Sequence, residues 1–141
     1  DVSQETVSRT VPGQWEEGRK LNLEPSLRLG DELGGHLVTG HVDAVGEVIA
    51  IEDSGDGGRR LSFEVPEEFT RWLVDKGSVA IDGVSLTVCE PTENRFDVAV
   101  IPVTLEATNL GVAEVGQRVN LEADPIGKWV ARLFPGADQS P

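Results

Sequence analysis

The sequence predicts a small, closed, all-β barrel, and three observations carry that prediction. Apolar and polar residues alternate at Leu61, Phe63 and Val65, at Val84, Leu86 and Val88, and at Phe96, Val98 and Val100, the period-two pattern of half-buried strands. Two further β-rich runs, Val42 to Ile51 with Gly46 inside it and Val119 to Leu121, stand apart from these. Turn clusters punctuate them, from Asp53 to Gly58 and from Pro91 to Asn94. Many short strands with little helix between them hide their edges best by closing on themselves.

Helical signals are brief. Glu67 to Asp75 follows Pro66, and Val103 to Asn109 follows Pro102, the proline supplying the start in each case. From Pro125 onward Ile126, Trp129, Val130 and Leu133 fall at i, i+3, i+4 and i+7 and give one apolar helix face. That face needs a partner, and two remain open: its own barrel, or another subunit. The end, Pro135 to Pro141, has a disordered composition.

The chain of 141 residues can bury one real core but is short for two. Its net charge of -13 and the lack of any basic cluster exclude a phosphate-binding surface, so no nucleic-acid partner is expected. No apolar run reaches membrane-spanning length, and no membrane partner is expected either. A single cysteine, Cys89, leaves no intrachain disulfide and fits a reducing, cytoplasmic location.

An internal repeat sets the organisation. A shift of 98 positions, without gaps, matches Val2 to Val100, Thr6 to Thr104, Thr10 to Thr108, Gly13 to Gly111, Glu16 to Glu114 and Gly18 to Gly116. The same shift lays Asn22-Leu23-Glu24 on Asn120-Leu121-Glu122, giving nine identities in 24 positions. A period of this length denotes a duplicated domain rather than a solenoid. The second copy begins near Thr39, so the first would begin roughly sixty residues before Asp1, and what is present of it is its last part.

Both histidines lie in Gly34-Gly-His-Leu-Val-Thr-Gly-His-Val-Asp43. Five residues apart, on a strand they would face opposite ways, and no cysteine or third histidine joins them, so no metal site is expected. No Gly-x-Ser-x-Gly motif presents a serine nucleophile. The glycine run at Gly55 to Gly58 is acidic and reads as a hairpin turn rather than a phosphate cradle. In Ile81-Asp-Gly-Val-Ser-Leu-Thr-Val88 the hydroxyls of Ser85 and Thr87 share one strand face, away from Leu86 and Val88, and can line a polar pocket. Taken alone, that face reads first as an ordinary solvated one.

Together with Lys76-Gly77, Ile101-Pro-Val-Thr-Leu105, Thr108-Asn-Leu-Gly111 and Val119-Asn-Leu-Glu122, the decapeptide and this strand resemble the α-chain type of riboflavin synthase, in the same order and over nearly the whole chain. The resemblance implies two similar six-stranded Greek-key barrels and a C-terminal helix that helps to form a homotrimer. Residues 1–31 would be the end of the N-terminal barrel, 32–124 the complete C-terminal barrel, and 125–141 the C-terminal helix and tail. It also implies a cofactor-free dismutation in which two molecules of 6,7-dimethyl-8-ribityllumazine exchange a four-carbon unit, giving riboflavin and 5-amino-6-ribitylamino-uracil, the last step of riboflavin biosynthesis. The active site would lie between subunits, each barrel holding one ring; lumazine synthase is a further partner expectation.

By the same resemblance the ligand contacts of the complete barrel are Gly40, His41 and Val42; Lys76; Ser85, Leu86 and Thr87; and Ile101, Pro102, Val103, Thr104, Leu105 and Glu106. Those of the first copy are Asp1, Val2, Ser3, Gln4, Glu5 and Thr6. The catalytic candidates are His41, Ser85, Thr87 and Asp124, with His41 first, because an imidazole titrates in the range useful for moving a proton. Asp124 falls near the ribityl chain, while His36 is assigned to structure, closing the first barrel's exit. One departure is plain: the family carries Glu where this chain has Val103, although the first copy keeps the acid at Glu5. The partner of the Ser85-Leu-Thr87 strand in the N-terminal barrel is outside these residues. A non-catalytic lumazine-binding antenna protein of the same fold is the alternative; a flavin-reductase barrel would want a tyrosine, and there is none.

Overall fold

In the computed structural model, which describes residues 1–134, six antiparallel strands form a closed barrel. In chain order the elements are α1 (Gln4–Arg9), β1 (Ala44–Asp53), β2 (Arg59–Glu64), α2 (Glu67–Thr70), β3 (Ser78–Ile81), β4 (Val84–Cys89), β5 (Arg95–Val100), α3 (Pro102–Ala107), a 3-10 turn (Asn109–Val112), β6 (Arg118–Ala123) and α4 (Pro125–Leu133). Around the barrel the strands run β1, β2, β5, β4, β3, β6 and back to β1. Closure covers the strand edges, as the pattern of many short strands requires, except where β4 meets β5 over only two residue pairs.

The alternating residues face inward as expected. Leu61, Phe63, Val88, Phe96 and Val98 have no exposed surface, and Phe63 stacks on its cross-strand neighbour Phe96 with centroids 5.3 Å apart. Gly46 in β1 is needed for close packing: a Cβ there would lie 2.8 Å from the Leu121 side chain and 3.0 Å from that of Val65. The β3–β4 hairpin turns on Asp82-Gly83, whose φ values of 46° and 83° are the paired positive angles of a two-residue type I′ connection.

Two helices are shorter than the pattern predicts. The one after Pro66 ends at Thr70, because the chain breaks into turns at Trp72 and Leu73 to bury Phe69 and Leu73 under the barrel. The one after Pro102 ends at Ala107 and continues as the 3-10 turn. The helix from Pro125 forms, but its apolar face is turned away from the barrel, with Ile126, Trp129, Val130 and Leu133 all at least half exposed. The contact with the barrel is made by the other side: Gly127 packs on the Trp72 carbonyl, and Lys128 reaches Asp43. Of the two partners left open for that face, its own barrel is therefore not the one seen. Pro135 to Pro141 lie outside the described residues.

The repeat recurs as structure. Shifted by 98 positions, α1 coincides with α3 at both ends. Each helix is closed by a threonine whose hydroxyl donates back to a carbonyl four residues earlier, Thr10 to Thr6 at 2.9 Å and Thr108 to Thr104 at 2.7 Å. The segment before the barrel is clamped to it by a reciprocal pair of asparagines. Asn120 Oδ1 accepts the Val11 N–H at 2.8 Å, and Asn22 Oδ1 accepts the Asn109 N–H at 2.8 Å. Asn22 corresponds to Asn120 under the same shift, and Val11 to Asn109, so the two bonds are related by the pseudo-symmetry of the repeat.

Asn120 is buried, and its loss would strand both the Val11 N–H and part of the Asp82 carboxylate. Asn120→Ala is expected to destabilise the chain by about 1–3 kcal/mol, read as a lower urea midpoint at unchanged slope. Asn22→Ala should act in the same direction but less, since Asn22 is only half-buried.

Candidate functional site

The candidate hydroxyls sit where the barrel wall parts. On one side β4 pairs with β3 throughout, Ala80 with Ser85 and Ser78 with Thr87. On the other it bridges β5 only at Val88 with Val98 and Cys89 with Asp97. Continued, that register would set Thr87 against Ala99 and Ser85 against Ile101, but at Pro102 the chain leaves the sheet for α3. The outward-facing hydroxyls and main chain of Ser85 to Thr87 thus border an open seam beside α3, where a flat ring with donors and acceptors on its edge can take the place of a strand. Thr104 is half-buried in α3, while Ile101, Val103 and Glu106 are exposed and Leu105 packs on the core.

The segment before β1 runs beside this seam, and it brings His36 rather than His41 onto Ser85. His36 Nδ1 lies 2.7 Å from Ser85 Oγ, and the His36 backbone N–H donates to the same oxygen at 3.3 Å. Gly35 makes the approach possible: a Cβ on it would overlap the Ser85 hydroxyl. The His41 side chain is exposed, next to Gly40 at φ 78°. The Asp43 N–H donates to the Leu121 carbonyl at 2.8 Å, one step out of the Ala44–Leu121 register, so the His41 segment still runs beside the end of β6 that leads into Asp124. Asp124 Oδ1 accepts the Ile126 N–H at 2.9 Å and caps α4. Lys76 is exposed at φ 63°, its N–H donating to the Val88 carbonyl at 2.8 Å.

The first-copy candidates lie apart from these. Ser3 caps α1 by accepting the Thr6 N–H at 3.1 Å, and Glu5 pairs with Arg9 at 2.8 Å. None of Asp1 to Thr6 hydrogen-bonds to β4 or α3 among the described residues. The clefts meet the candidates only in part. One of about 740 Å³ lies between Lys20 to Leu23 and α3 and is lined by Pro102, Leu105 and Glu106; one of about 490 Å³ beside Gly18 to Leu23, against Asp82 and Asn109, includes Val42; and one of about 420 Å³ between α4 and Trp72 to Val74 includes Asp124. His41, Ser85 and Thr87 line none of these three.

Four residues that the sequence left without a role hold the His41 segment in place. Thr39 donates its N–H (2.7 Å) and its hydroxyl (2.9 Å) to Glu122 Oε1, a carboxylate only 4% exposed. Asp43 Oδ2 accepts the Ala123 N–H at 2.9 Å and pairs with Lys128 Nζ at 2.6 Å, the two side chains 16% and 28% exposed. The residues on either side of His41 are thus both tied to β6. No group of three or more His, Cys, Asp and Glu that could hold a metal ion occurs among the described residues.

Comparisons with known proteins identify the family and the fold. A family profile described as a lumazine binding domain matches residues 39–124. The riboflavin synthase of Mycobacterium bovis is 46% identical over 140 residues, which cover 97% of this chain and 69% of that protein. The chain belongs to the riboflavin synthase family. The Brucella abortus riboflavin synthase is likewise 46% identical, over 92% of this chain and 64% of its own length, so the chain spans about two thirds of the relatives it matches. Among solved structures, LumP complexed with riboflavin superposes with a TM-score of 0.61 at 26% identity, covering 67% of this chain and 50% of that one. LumP complexed with 6,7-dimethyl-8-(1'-D-ribityl) lumazine gives 0.57 at 25%, over 63% of this chain and 48% of that one.

Asp43→Ala removes an acceptor and a charge partner at once. We expect a loss of about 1–3 kcal/mol in urea unfolding. Asp43→Asn keeps an acceptor for the Ala123 N–H and should cost about half as much, while amide exchange at Thr39 reports whether the segment loosens.

Proposed function

We propose that the complete protein is a riboflavin synthase and that this chain supplies its C-terminal lumazine-binding barrel. The observation that carries the reading is the 46% identity to riboflavin synthases across nearly the whole chain. The reaction asks little of the protein beyond orientation and proton movement. The C7 methyl of 6,7-dimethyl-8-ribityllumazine is acidic, because its carbanion delocalises into the electron-poor ring. Holding two such rings face to face converts a bimolecular encounter into an intramolecular one.

In this reading the ring lies in the seam between β4 and α3. The Ser85 and Thr87 hydroxyls and the main chain between them meet the pyrimidinedione edge, with Gly40, Val42 and Lys76 at the rim and Ile101 to Glu106 along the other side. His41 moves a proton, and Asp124, just past the end of β6, meets the ribityl chain. The second ring belongs to a neighbouring subunit, held by the first-copy segment Asp1 to Thr6 and the remainder of its barrel. The exposed face of α4 provides the contact that makes a trimer: Ile126, Trp129, Val130 and Leu133 form one contiguous apolar face that is at least half exposed. Residues 1–31 then belong to the N-terminal barrel and 32–124 to the C-terminal one. No helix among the described residues is long and apolar enough to cross a membrane, and a cytoplasmic enzyme is the setting proposed. Lumazine synthase, which would supply the substrate, is a candidate partner.

The decisive assay supplies 6,7-dimethyl-8-ribityllumazine without cofactor to the full-length protein and follows riboflavin by absorbance; tight binding without turnover would instead identify an antenna protein. His41→Ala is expected to lower kcat by about a hundredfold or more, and His36→Ala to lower it far less. Trp129→Glu should convert trimer to monomer in light scattering and abolish turnover with it, while this chain alone binds lumazine weakly and turns over little.

A further inference from the structure

We propose that His36 belongs to the ligand pocket: through Nδ1 it sets the Ser85 hydroxyl, and its Nε2–H is a donor that a carbonyl oxygen of the bound pyrimidinedione completes. The inference rests on the lumazine reading above and assigns a role to a residue that the resemblance leaves to structure. Ser85 Oγ has two recorded partners, both from His36: the backbone N–H at 3.3 Å and ring Nδ1 at 2.7 Å. A serine hydroxyl has one proton to give and two lone pairs to offer. The backbone N–H occupies one lone pair, so the proton finds a protein partner only at Nδ1, which makes Nδ1 an acceptor and puts the imidazole proton on Nε2.

Nε2 is then a donor, and it is buried with no hydrogen-bond partner, alone in this respect among the side-chain nitrogens and oxygens of the described residues. A histidine serving only to pack a linker has both nitrogens satisfied or one in water; a buried orphan costs free energy unless something completes it. The neighbourhood makes that something a ligand. Ser85 borders the open seam, and Gly35 brings the backbone so close to Ser85 that any side chain at position 35 would displace the hydroxyl. The serine and the histidine are therefore held as one unit, with one hydrogen-bonding position of that unit left over. The heterocycle proposed for this seam carries carbonyl oxygens on the edge that faces it.

The experiment uses this chain with 15N-labelled histidine. Long-range 1H–15N spectra of the free protein should show His36 as the Nε2–H tautomer, and Ser85→Ala should move its Nδ1 resonance. Saturation with 6,7-dimethyl-8-ribityllumazine should shift Nε2 and its proton. In a fluorescence titration His36→Ala should weaken lumazine binding about tenfold and Ser85→Ala about fivefold, with the double variant well short of the product because the two act together. His36→Gln, whose amide N–H reaches near the Nε2 position, should recover part of the loss and guards against a merely unfolded alanine variant. An Nδ1–H tautomer, an Nε2 signal unmoved at saturation, or a His36→Ala affinity within twofold of the parent would overturn the proposal. If the parent chain does not bind lumazine at all, the functional reading fails, while the free-protein tautomer still decides the Ser85 half of the inference.

Discussion

The carboxylate of Asp82 is the point on which the arrangement hangs. It sits in a two-residue turn at φ 46°, a conformation an aspartate tolerates better than most residues, and from there it reaches three elements. Oδ1 accepts the Asn120 backbone N–H at 2.8 Å and its side-chain amide at 3.2 Å; Oδ2 accepts the Asn109 amide at 2.8 Å. The Asp82 carbonyl accepts the Asn22 amide at 2.9 Å. A hairpin, a barrel strand, the segment after α3 and the chain preceding the barrel are thereby held to one another by a half-buried charge with its hydrogen bonds satisfied, the condition under which such a group stabilises rather than strains a fold.

Three of those four elements lead to a candidate ligand group within a few residues. Ser85 and Thr87 follow the hairpin, Thr104 precedes Asn109 by just over one turn, and Asp124 follows Asn120 just past the end of β6. The polar cluster itself makes no claim on a ligand. Its part is to fix the spacing of groups that do, and side chains anchored on strands and caps keep such spacing better than side chains on loops. The second set of ties, Thr39 with Glu122 and Asp43 with Ala123 and Lys128, does the same for the segment carrying His41, and it carries the constraint on to α4.

The barrel was legible in the sequence because a strand with one wet face alternates, as β2, β4 and β5 do, while β1 and β6 showed as β-rich runs. β3 was not, since Val79, Ala80 and Ile81 are all buried and a run apolar on both faces has no period to detect. The candidate site was legible only as motifs. Ser85 and Thr87 could be placed on one face from their spacing, and the register confirms that geometry, but nothing local links Ser85 to a histidine 49 positions earlier or Asp43 to a lysine 85 positions later. Those contacts are products of closure: they exist because β4 meets β3 and β1 meets β6, and pairing across a barrel carries no signal at the separation of the residues it joins. Asp43 and Lys128 were in view, each within a motif or an element, without a reason to be considered together.

The two copies of Asn-Leu-Glu show the same limit from inside the chain. In β6, Leu121 is fully buried between β1 and β3; in the first copy, Leu23 is 89% exposed, with no strand on either side among the described residues. The same leucine in the same tripeptide thus has opposite surroundings, because burial is conferred by neighbours and not by the segment. The asparagines behave differently. Asn22 and Asn120 each accept a backbone N–H from the opposite copy at 2.8 Å, although one lies in a strand and the other in an irregular stretch. The leucines pack within a barrel, whereas the asparagines join one copy to the other. The joining bonds can therefore form with one barrel and the end segment of the other copy present, which is why the repeat leaves its clearest structural trace at the interface between the copies and not in their cores.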